Sequence, residues 1–304
     1  MLHNTKGIVL RVTKYGDTSV IASIYTELFG LQQYIVKGVR TISKKGASKG
    51  VFYQPAAILQ MEAYHYPMKS MQMIKDVNFH VCKGEVVGIA GLMGAGRTEL
   101  AMSIFGRAYG QKISGEVLLH GKPVDVSTIP KAMDAGLAYA TEDRKTYGLV
   151  LIDHIKHNVT LANLDGVAAK GVVDDVEELS VANKYRKDLA IRCSSVFQTT
   201  VNLSGGNQQK VVLAKWLFSG PEVLILDEPT RGIDVGAKYE IYGIINELAE
   251  AGKAVIVISS EMPELLGISD RIYVMNDGRL VAEMPAKEAS QEKIMRAIMK
   301  SWED

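Results

Sequence analysis

Hydrophobic and polar positions follow two different patterns along this 304-residue chain. Up to residue 64, short β-branched and aromatic runs are separated by Gly, Asp and Lys, a pattern typical of the closely spaced strands of a small barrel. From residue 86 onward, apolar runs of the buried type alternate with longer segments of helical periodicity. This alternation predicts a largely parallel sheet with helices on both faces.

The individual elements follow from these runs and from the Gly, Pro and Asp residues between them. In the first part we predict strands at 7–13, 19–25, 30–36 and 57–64. In the second part we predict a strand, turn and strand over 76–88, strands at 115–120, 136–140, 223–226 and 254–259, and helices at 174–190, 205–219 and 237–251.

Composition and charge narrow the class of protein. A hydrophobic fraction of 47% with 23% charged residues describes a globular protein that buries a full core. No run approaches the roughly 18 apolar residues of a membrane span, and the first residues lack a signal-peptide pattern, so we expect a cytoplasmic protein. Residues 1–76 carry ten Lys or Arg but only four acids, although the net charge is +1. We therefore expect two parts with different partners.

A glycine-rich turn lies between a predicted strand and a helix at residues 91–98, Gly-Leu-Met-Gly-Ala-Gly-Arg-Thr. Backbone N–H groups in such a turn, at the positive end of a helix, bind phosphate. The candidate phosphate-binding residues are Gly91, Gly94, Ala95, Gly96, Arg97, Thr98 and Glu99.

Two further motifs are typical of a nucleotide site. One opens a predicted helix, where unpaired N–H groups and small residues let a phosphate approach. Its residues are Leu203, Ser204, Gly205, Gly206, Asn207 and Gln208. In the other, Asp227 and Glu228 end an apolar strand, which suits one carboxylate for Mg²⁺ and the next for the attacking water. Together the three motifs predict that ATP and Mg²⁺ bind.

On these motifs, with Thr-Glu-Asp-Arg-Lys at 141–145 and Glu-Pro-Thr-Arg-Gly-Ile-Asp-Val-Gly-Ala at 228–237, residues 77–304 resemble an ABC-type ATP-binding domain. More narrowly, they resemble the second ATPase half of monosaccharide importers of the ribose, galactose and arabinose type. The resemblance implies an α/β P-loop NTPase fold, here without its first strands. It also implies two partners, another ATPase half and a membrane permease, and hence a peripheral position on the inner face of the plasma membrane.

The resemblance also implies roles for single residues. Thr98 and Asp227 would hold Mg²⁺, and Glu228 would be the general base. Glu142 stands where a metal- and water-sensing Gln is usual, and Asp234 lies in the loop that contacts the other ATPase half.

Three positions depart from the pattern of an active ATPase, Glu142 and two others. Arg97 replaces the phosphate-binding Lys, and a planar guanidinium is not interchangeable with a compact ammonium. Ser260 replaces the switch His, so one donor to the γ-phosphate is lost, which typically lowers the rate on the order of a hundredfold. We expect a site that binds ATP but hydrolyses it slowly, while the intact signature motif at 203–208 serves a partner's ATP.

The first 76 residues resemble a different family. Tyr-Gly-Asp-Thr-Ser at 15–19, Tyr-Thr-Glu-Leu-Phe-Gly at 25–30 and Tyr-Ile-Val-Lys-Gly-Val-Arg at 34–40 are similar to the N-terminal OB-fold of RecO-type recombination mediators, without that family's C-terminal helical domain. The resemblance implies an all-β barrel that binds DNA. Five cations in a loop of Gly and Ser suit single-stranded DNA: Lys37, Arg40, Lys44, Lys45 and Lys49.

Three hypotheses stay open from the sequence. The chain is an ATP-binding importer subunit with weak ATPase activity, a DNA-binding repair module, or a non-functional fusion of two truncated domains. The third arises because no linker rich in Gly, Ser or Pro separates the two parts.

The repair hypothesis makes a quantitative prediction. If the five loop cations contact phosphates of single-stranded DNA, the logarithm of the binding constant should fall against log salt concentration with a slope of about −3.5. A titration of the full chain with a fluorescent oligonucleotide measures this slope. No binding at low salt would exclude the hypothesis.

Overall fold

The computed structural model describes residues 7–15, 19–26, 30–36, 74–108 and 113–300. The chain divides into two compact units, Met1–Met71 and Gln72–Asp304. The boundary at residue 76 drawn from the two resemblances stays a prediction.

The described part of the first unit is an antiparallel sheet in the order β1 (Gly7–Tyr15), β2 (Ser19–Thr26), β3 (Gly30–Val36). A register shift interrupts the β1–β2 pairing between Val9 and Arg11. These strands confirm three of the four predicted. The fourth, at 57–64, lies outside the described residues, as does the basic loop with Lys37, Arg40, Lys44, Lys45 and Lys49.

A six-stranded sheet forms the centre of the second unit. Its spatial order is β13 (Arg279–Pro285), β12 (Arg271–Asn276), β4 (Val86–Gly91), β11 (Ala254–Ile258), β10 (Val223–Asp227), β7 (Leu137–Ala140). All neighbouring pairs are parallel except β12–β13. The predicted parallel sheet is thereby confirmed. Two small hairpins lie outside it, β5 (Val117–Leu119) with β6 (Lys122–Val124) and β8 (Ala168–Ala169) with β9 (Val172–Val173).

Helices cover both faces of this sheet. They are α1 (Arg97–Ile104), α2 (Ile129–Asp134), α3 (Ile155–Thr160), α4 (Asp175–Asp188), α5 (Gly205–Phe218), α6 (Val235–Glu250), α7 (Met262–Ile268) and α8 (Gln291–Lys300). In β11, Val255 and Val257 enter one apolar cluster, whereas Ile256 and Ile258 enter the other. This alternation is what a strand buried on both faces requires. Among the described residues, no helix combines the length and the apolar character needed to cross a bilayer.

The strand predicted at the start of 76–88 is wrong, because residues 77–82 form no ladder. Val77, Phe79 and Val81 do pack against the cluster that contains Ile256. Within the described residues, however, no strand lies beside them to supply backbone partners. The alternating pattern therefore reports burial of one face here, and not sheet pairing.

Asn158 joins the segment before α3 to the turn before α5. It is almost fully buried, and its amide donates to the carbonyls of Val150 and His154 and to the Thr200 hydroxyl at 2.9–3.0 Å. Its oxygen accepts the Val150 N–H at 2.8 Å. The Thr200 carbonyl in turn accepts the side chain of Gln208 at 3.2 Å. The side chain of Asn158 thus connects the segment that precedes α3 to the turn that precedes α5.

We expect Asn158→Ala to lower the free energy of unfolding by about 1–3 kcal/mol, because a donor in the protein interior loses its partner. Urea denaturation measures the change. Asn183→Ala is the matched control, since that exposed side chain makes one hydrogen bond to the Leu179 carbonyl. Its effect should stay within about 0.5 kcal/mol, and equal losses in the two variants would contradict the role assigned to Asn158.

Candidate nucleotide site

The phosphate loop connects β4 to α1. Gly91 ends the strand, and a Cβ there would lie 2.6 Å from the Met275 carbonyl oxygen, so only glycine fits. Gly94 and Gly96 have φ of 81° and 98°, and Gly96 is the N-cap of α1. Ala95 is buried in the bend between them. The loop therefore directs backbone N–H groups toward the N-terminal end of α1, as a phosphate site needs.

Arg97 points inward from the first turn of α1. Its Nη1 donates to the Ser259 carbonyl at 2.5 Å, and its Nη2 lies 3.5 Å from Glu228 Oε1. The side chains of Arg97 and Glu228 are only 8% and 11% exposed. Burial lowers the pKa of Arg97, and the neighbouring carboxylates of Glu228 and Asp227 oppose that shift. The guanidinium thus contacts both the Glu228 carboxylate and the residue that follows β11.

Asp227 ends β10 and is almost fully buried. Tyr139 donates to its Oδ2 at 2.9 Å. Its Oδ1 is buried without a hydrogen bond of normal geometry among the described residues, although the Thr98 hydroxyl is close enough to favour the charged form. Burial nevertheless raises the pKa of Asp227. An orphaned carboxylate oxygen beside a threonine hydroxyl fits a hard cation such as Mg²⁺.

Glu228 takes a left-handed backbone conformation, with φ of 47°, directly after the strand. Its N–H donates to the Ile258 carbonyl at 2.8 Å, and Ser260 Oγ donates to its Oε2 at 3.1 Å. Burial raises the pKa of this carboxyl, while Arg97 and Ser260 act in the opposite direction. Strain and a raised pKa are typical of functional carboxylates.

The predicted signature motif begins α5. Ser204 is the N-cap, and its Oγ accepts the backbone and side-chain N–H groups of Asn207. A Cβ on Gly206 would lie 2.5 Å from the Ala237 Cβ, so this position admits only glycine. Leu203 and Gln208 are buried beneath the turn. Among the described residues, no hydrogen bond or ion pair joins the signature motif to the phosphate loop.

Glu142 lies in the loop after β7, and Asp234 lies in the loop after β10, which also contains Arg231 and Gly232. Glu142 forms an ion pair with Arg231. Asp234 is the exposed N-cap of α6 and accepts the Ala237 N–H at 3.0 Å. The structure therefore places the Glu142 carboxylate against a guanidinium, and its predicted role as a metal ligand stays a prediction.

Arg144 connects these loops to the signature turn. It is 8% exposed and donates to the carbonyls of Arg231 and Gly232 at 2.7 and 3.4 Å. A Cβ on Gly205 would lie 2.9 Å from its Nη2. Burial lowers the pKa of Arg144.

The structure thus brings Arg97, Glu228 and Ser260 together, with Asp227 and Thr98 beside them. Sequence reasoning missed Tyr139, Ser259 and the contacts of Arg144. Tyr139 was detectable in principle, because it lies near the carboxyl end of the strand beside β10. Ser259 acts through its main chain, and Arg144 through loop carbonyls, so neither leaves a side-chain motif.

Two family models match the chain. "ABC transporter" matches residues 74–231, and "Recombination protein O N terminal" matches residues 1–80. The L-arabinose transport ATP-binding protein of Geobacillus stearothermophilus is 55% identical over 238 residues, which are 78% of this chain and 46% of that protein. The ribose import ATP-binding protein of Bacillus subtilis is 49% identical over 221 residues, which are 73% of this chain and 44% of that protein. The chain thus spans about half the length of these relatives.

Solved structures share the fold. A nucleotide-free ATP-binding cassette of an ABC transporter superposes with a TM-score of 0.60 at 19% identity, over 75% of this chain and 89% of that one. A dimeric cassette in a post-hydrolysis state with ADP and phosphate gives a TM-score of 0.59 at 22% identity, over 70% of this chain and 90% of that one.

The pKa of Asp227 predicts how stability depends on pH. Because its folded-state pKa is raised, the ionised carboxylate destabilises the fold above that pKa, and the penalty disappears as the pH falls through it. Asp227→Asn should therefore raise Tm at pH 7, by about 2–4 °C per kcal/mol relieved, with a smaller gain near pH 4.

Asp125→Asn is the control. Its pKa is lowered by hydrogen bonds from Lys131 and Ser127, so neutralisation removes a favourable interaction and should not raise Tm at pH 7. Differential scanning calorimetry without Mg²⁺ compares the two. A lower Tm for Asp227→Asn at pH 7 would contradict the assignment of a desolvated carboxylate.

Proposed function

The chain belongs to the ABC transporter family, and we propose that its second unit is the ATP-binding half of a monosaccharide importer that hydrolyses its own ATP slowly. Its relatives carry the names of arabinose, xylose and ribose transport ATP-binding proteins. A pentose or related monosaccharide is the proposed cargo. A second ATPase half and a membrane permease are the proposed partners, and they would hold this protein at the inner face of the membrane.

The residues present fit ATP and Mg²⁺. Gly91, Gly94 and Gly96 shape a loop for the phosphates, and Thr98 with the buried Asp227 offers oxygen ligands to the metal. The metal would supply charge neutralisation at the phosphates. Glu228, whose pKa burial raises, is suited to orient a water molecule.

The contact between Arg97 and Glu228 supports slow hydrolysis. The cation at the phosphate loop is paired with the carboxylate proposed as general base and held by the Ser259 carbonyl. Arg97 opposes the rise in the pKa of Glu228 that burial causes, so the ion pair makes this carboxylate less basic than burial alone would. Ser260 offers Glu228 a hydroxyl where the family resemblance places an imidazole for the γ-phosphate. Both differences weaken the stabilisation of the transition state.

The signature motif is separate from the phosphate loop of its own chain, which supports the proposal that it acts on a nucleotide held by a partner. Its N-cap hydrogen bond is formed, Gly206 is sterically required, and among the described residues no hydrogen bond or ion pair joins it to the phosphate loop. A solved relative of this fold is a dimer with ADP and phosphate. We propose that residues 203–208 cap the ATP held by another ATPase half.

A second candidate function rests on the match of residues 1–80 to the recombination protein model. The three antiparallel strands of the first unit are compatible with it. We keep single-stranded DNA as the proposed partner of that unit, subject to the salt titration above.

Restoring the lysine and the histidine tests whether Arg97 and Ser260 are the cause of slow ATP hydrolysis. The purified chain should turn over ATP at a low rate that falls further in its Glu228→Gln variant, whereas Arg97→Lys with Ser260→His should gain on the order of a hundredfold. A coupled phosphate-release assay measures both rates. Arg296→Lys, an exposed substitution on α8, is the matched control and should change nothing. Fast turnover by the unaltered chain, lost in Glu228→Gln, would contradict the proposal.

A complementation experiment tests whether the signature motif acts on the ATP of another chain. A repaired copy (Arg97→Lys, Ser260→His) that also carries Ser204→Arg should be inactive alone, because no intact signature is present. Addition of the unaltered chain should restore turnover, because that chain supplies an intact signature motif. Addition of a chain that carries only Ser204→Arg should not restore turnover. Equal stimulation by both added chains would exclude capping across the dimer.

A further inference from the structure

A cluster of two histidines and an aspartate lies at the start of α3, on residues that the nucleotide site does not use. Asp153, His154 and His157 are each partly exposed, and one ligand-capable atom from each lies within 4.8 Å of the others. The His154 and His157 ring centroids are 5.4 Å apart. Asp153 Oδ1 accepts from the His154 N–H at 2.7 Å and lies 2.7 Å from His157 Nδ1.

The backbone beneath this cluster is fixed by buried groups. The Asp153 carbonyl accepts the Thr200 N–H at 3.0 Å and the Thr200 hydroxyl at 2.7 Å. The His154 carbonyl accepts the side-chain amide of Asn158 at 3.0 Å. Thr200 and Asn158 are buried almost completely. The side chains therefore project from a preorganised turn, which lowers the entropy that ligand binding would cost.

We propose that Asp153, His154 and His157 bind a divalent transition-metal ion of the zinc type. Two imidazoles and one carboxylate form a donor set that suits Zn²⁺, Ni²⁺ or Co²⁺. Water would complete the coordination, since all three side chains reach solvent.

The observed spacing needs only small side-chain movements. Bonds of about 2.1 Å in the tetrahedral geometry usual for zinc place each pair of ligand atoms about 3.4 Å apart. The 2.7 Å contact between Asp153 and His157 would widen slightly, and the longest separation would contract by rotation of the partly exposed rings.

Nearby charges favour a cation at this position. Glu178 Oε2 lies 3.9 Å from His157 Nε2. The adjacent cation, Lys156, is paired with Glu178 at 2.6 Å and Asp175 at 2.8 Å. Its repulsion of an incoming metal ion is therefore offset by two carboxylates.

Calorimetric titration of the untagged full chain with Zn²⁺ tests the site. The exposed thiol of Cys82 is replaced by serine throughout, because a thiolate would itself bind zinc. We expect the unaltered chain to bind one Zn²⁺ ion at this site. His154→Ala and His157→Ala should each weaken this binding at least tenfold, and the double variant should lose it. Asp153→Asn should also weaken binding, on the order of 10–100-fold. His120→Ala is the matched control, because that exposed histidine pairs with Glu222 elsewhere on the surface.

Cobalt spectroscopy separates ligation from a loss of folding. Co²⁺ bound to the unaltered chain should give a visible absorption band that disappears in the double histidine variant, while the far-UV circular dichroism of both proteins is the same. Absence of Zn²⁺ binding in the unaltered chain would overturn the proposal. Equal Zn²⁺ affinity of the unaltered chain and the double variant would overturn it as well.

Discussion

The parallel pairing of β4, β11 and β10 is the constraint on which the nucleotide site depends. Parallel strands end at the same edge of a sheet, so the loops that follow them meet there. The phosphate loop follows β4, the two carboxylates close β10, and Ser259 and Ser260 follow β11. An antiparallel neighbour at any of these positions would send one of the groups to the opposite edge. The antiparallel strand β13 is tolerated because it lies at the outer edge, beyond β12.

That convergence gives Arg97 its unusual role. A cation at the first turn of α1 faces the end of β11 on one side and Glu228 on the other, so its two nitrogens find an acceptor in each. A lysine would have to reach both acceptors from a single nitrogen, whereas the two nitrogens of the guanidinium each approach one of them. The replacement therefore changes the internal bonding of the site. Ser260 completes the arrangement with a donor to the same carboxylate.

Much of this could be read from the sequence, since strand and helix patterns and the spacing of Gly91–Thr98 and Asp227–Glu228 are local signals. The boundaries of α5 and β11 came within about two residues of those observed. The strand predicted at the start of 76–88 is wrong because strand pairing requires a neighbouring strand, which hydrophobic periodicity does not report. The Asp227–Tyr139 bond and the Arg97–Ser259 contact also depend on strand order, and no local pattern encodes that order. Glu142 was placed by its motif position alone, and its contact with Arg231 depends on how two distant loops meet.

The position of Arg144 has a consequence for how the loop after β10 can move relative to α5. Its guanidinium donates to the carbonyls of Arg231 and Gly232 in the loop after β10. The same group fills the space beside Gly205, the first residue of α5, where a Cβ would lie 2.9 Å from its Nη2. A movement of residues 231–234 would therefore either carry the guanidinium with it or break these two hydrogen bonds, and in both cases the space beside the start of α5 would change.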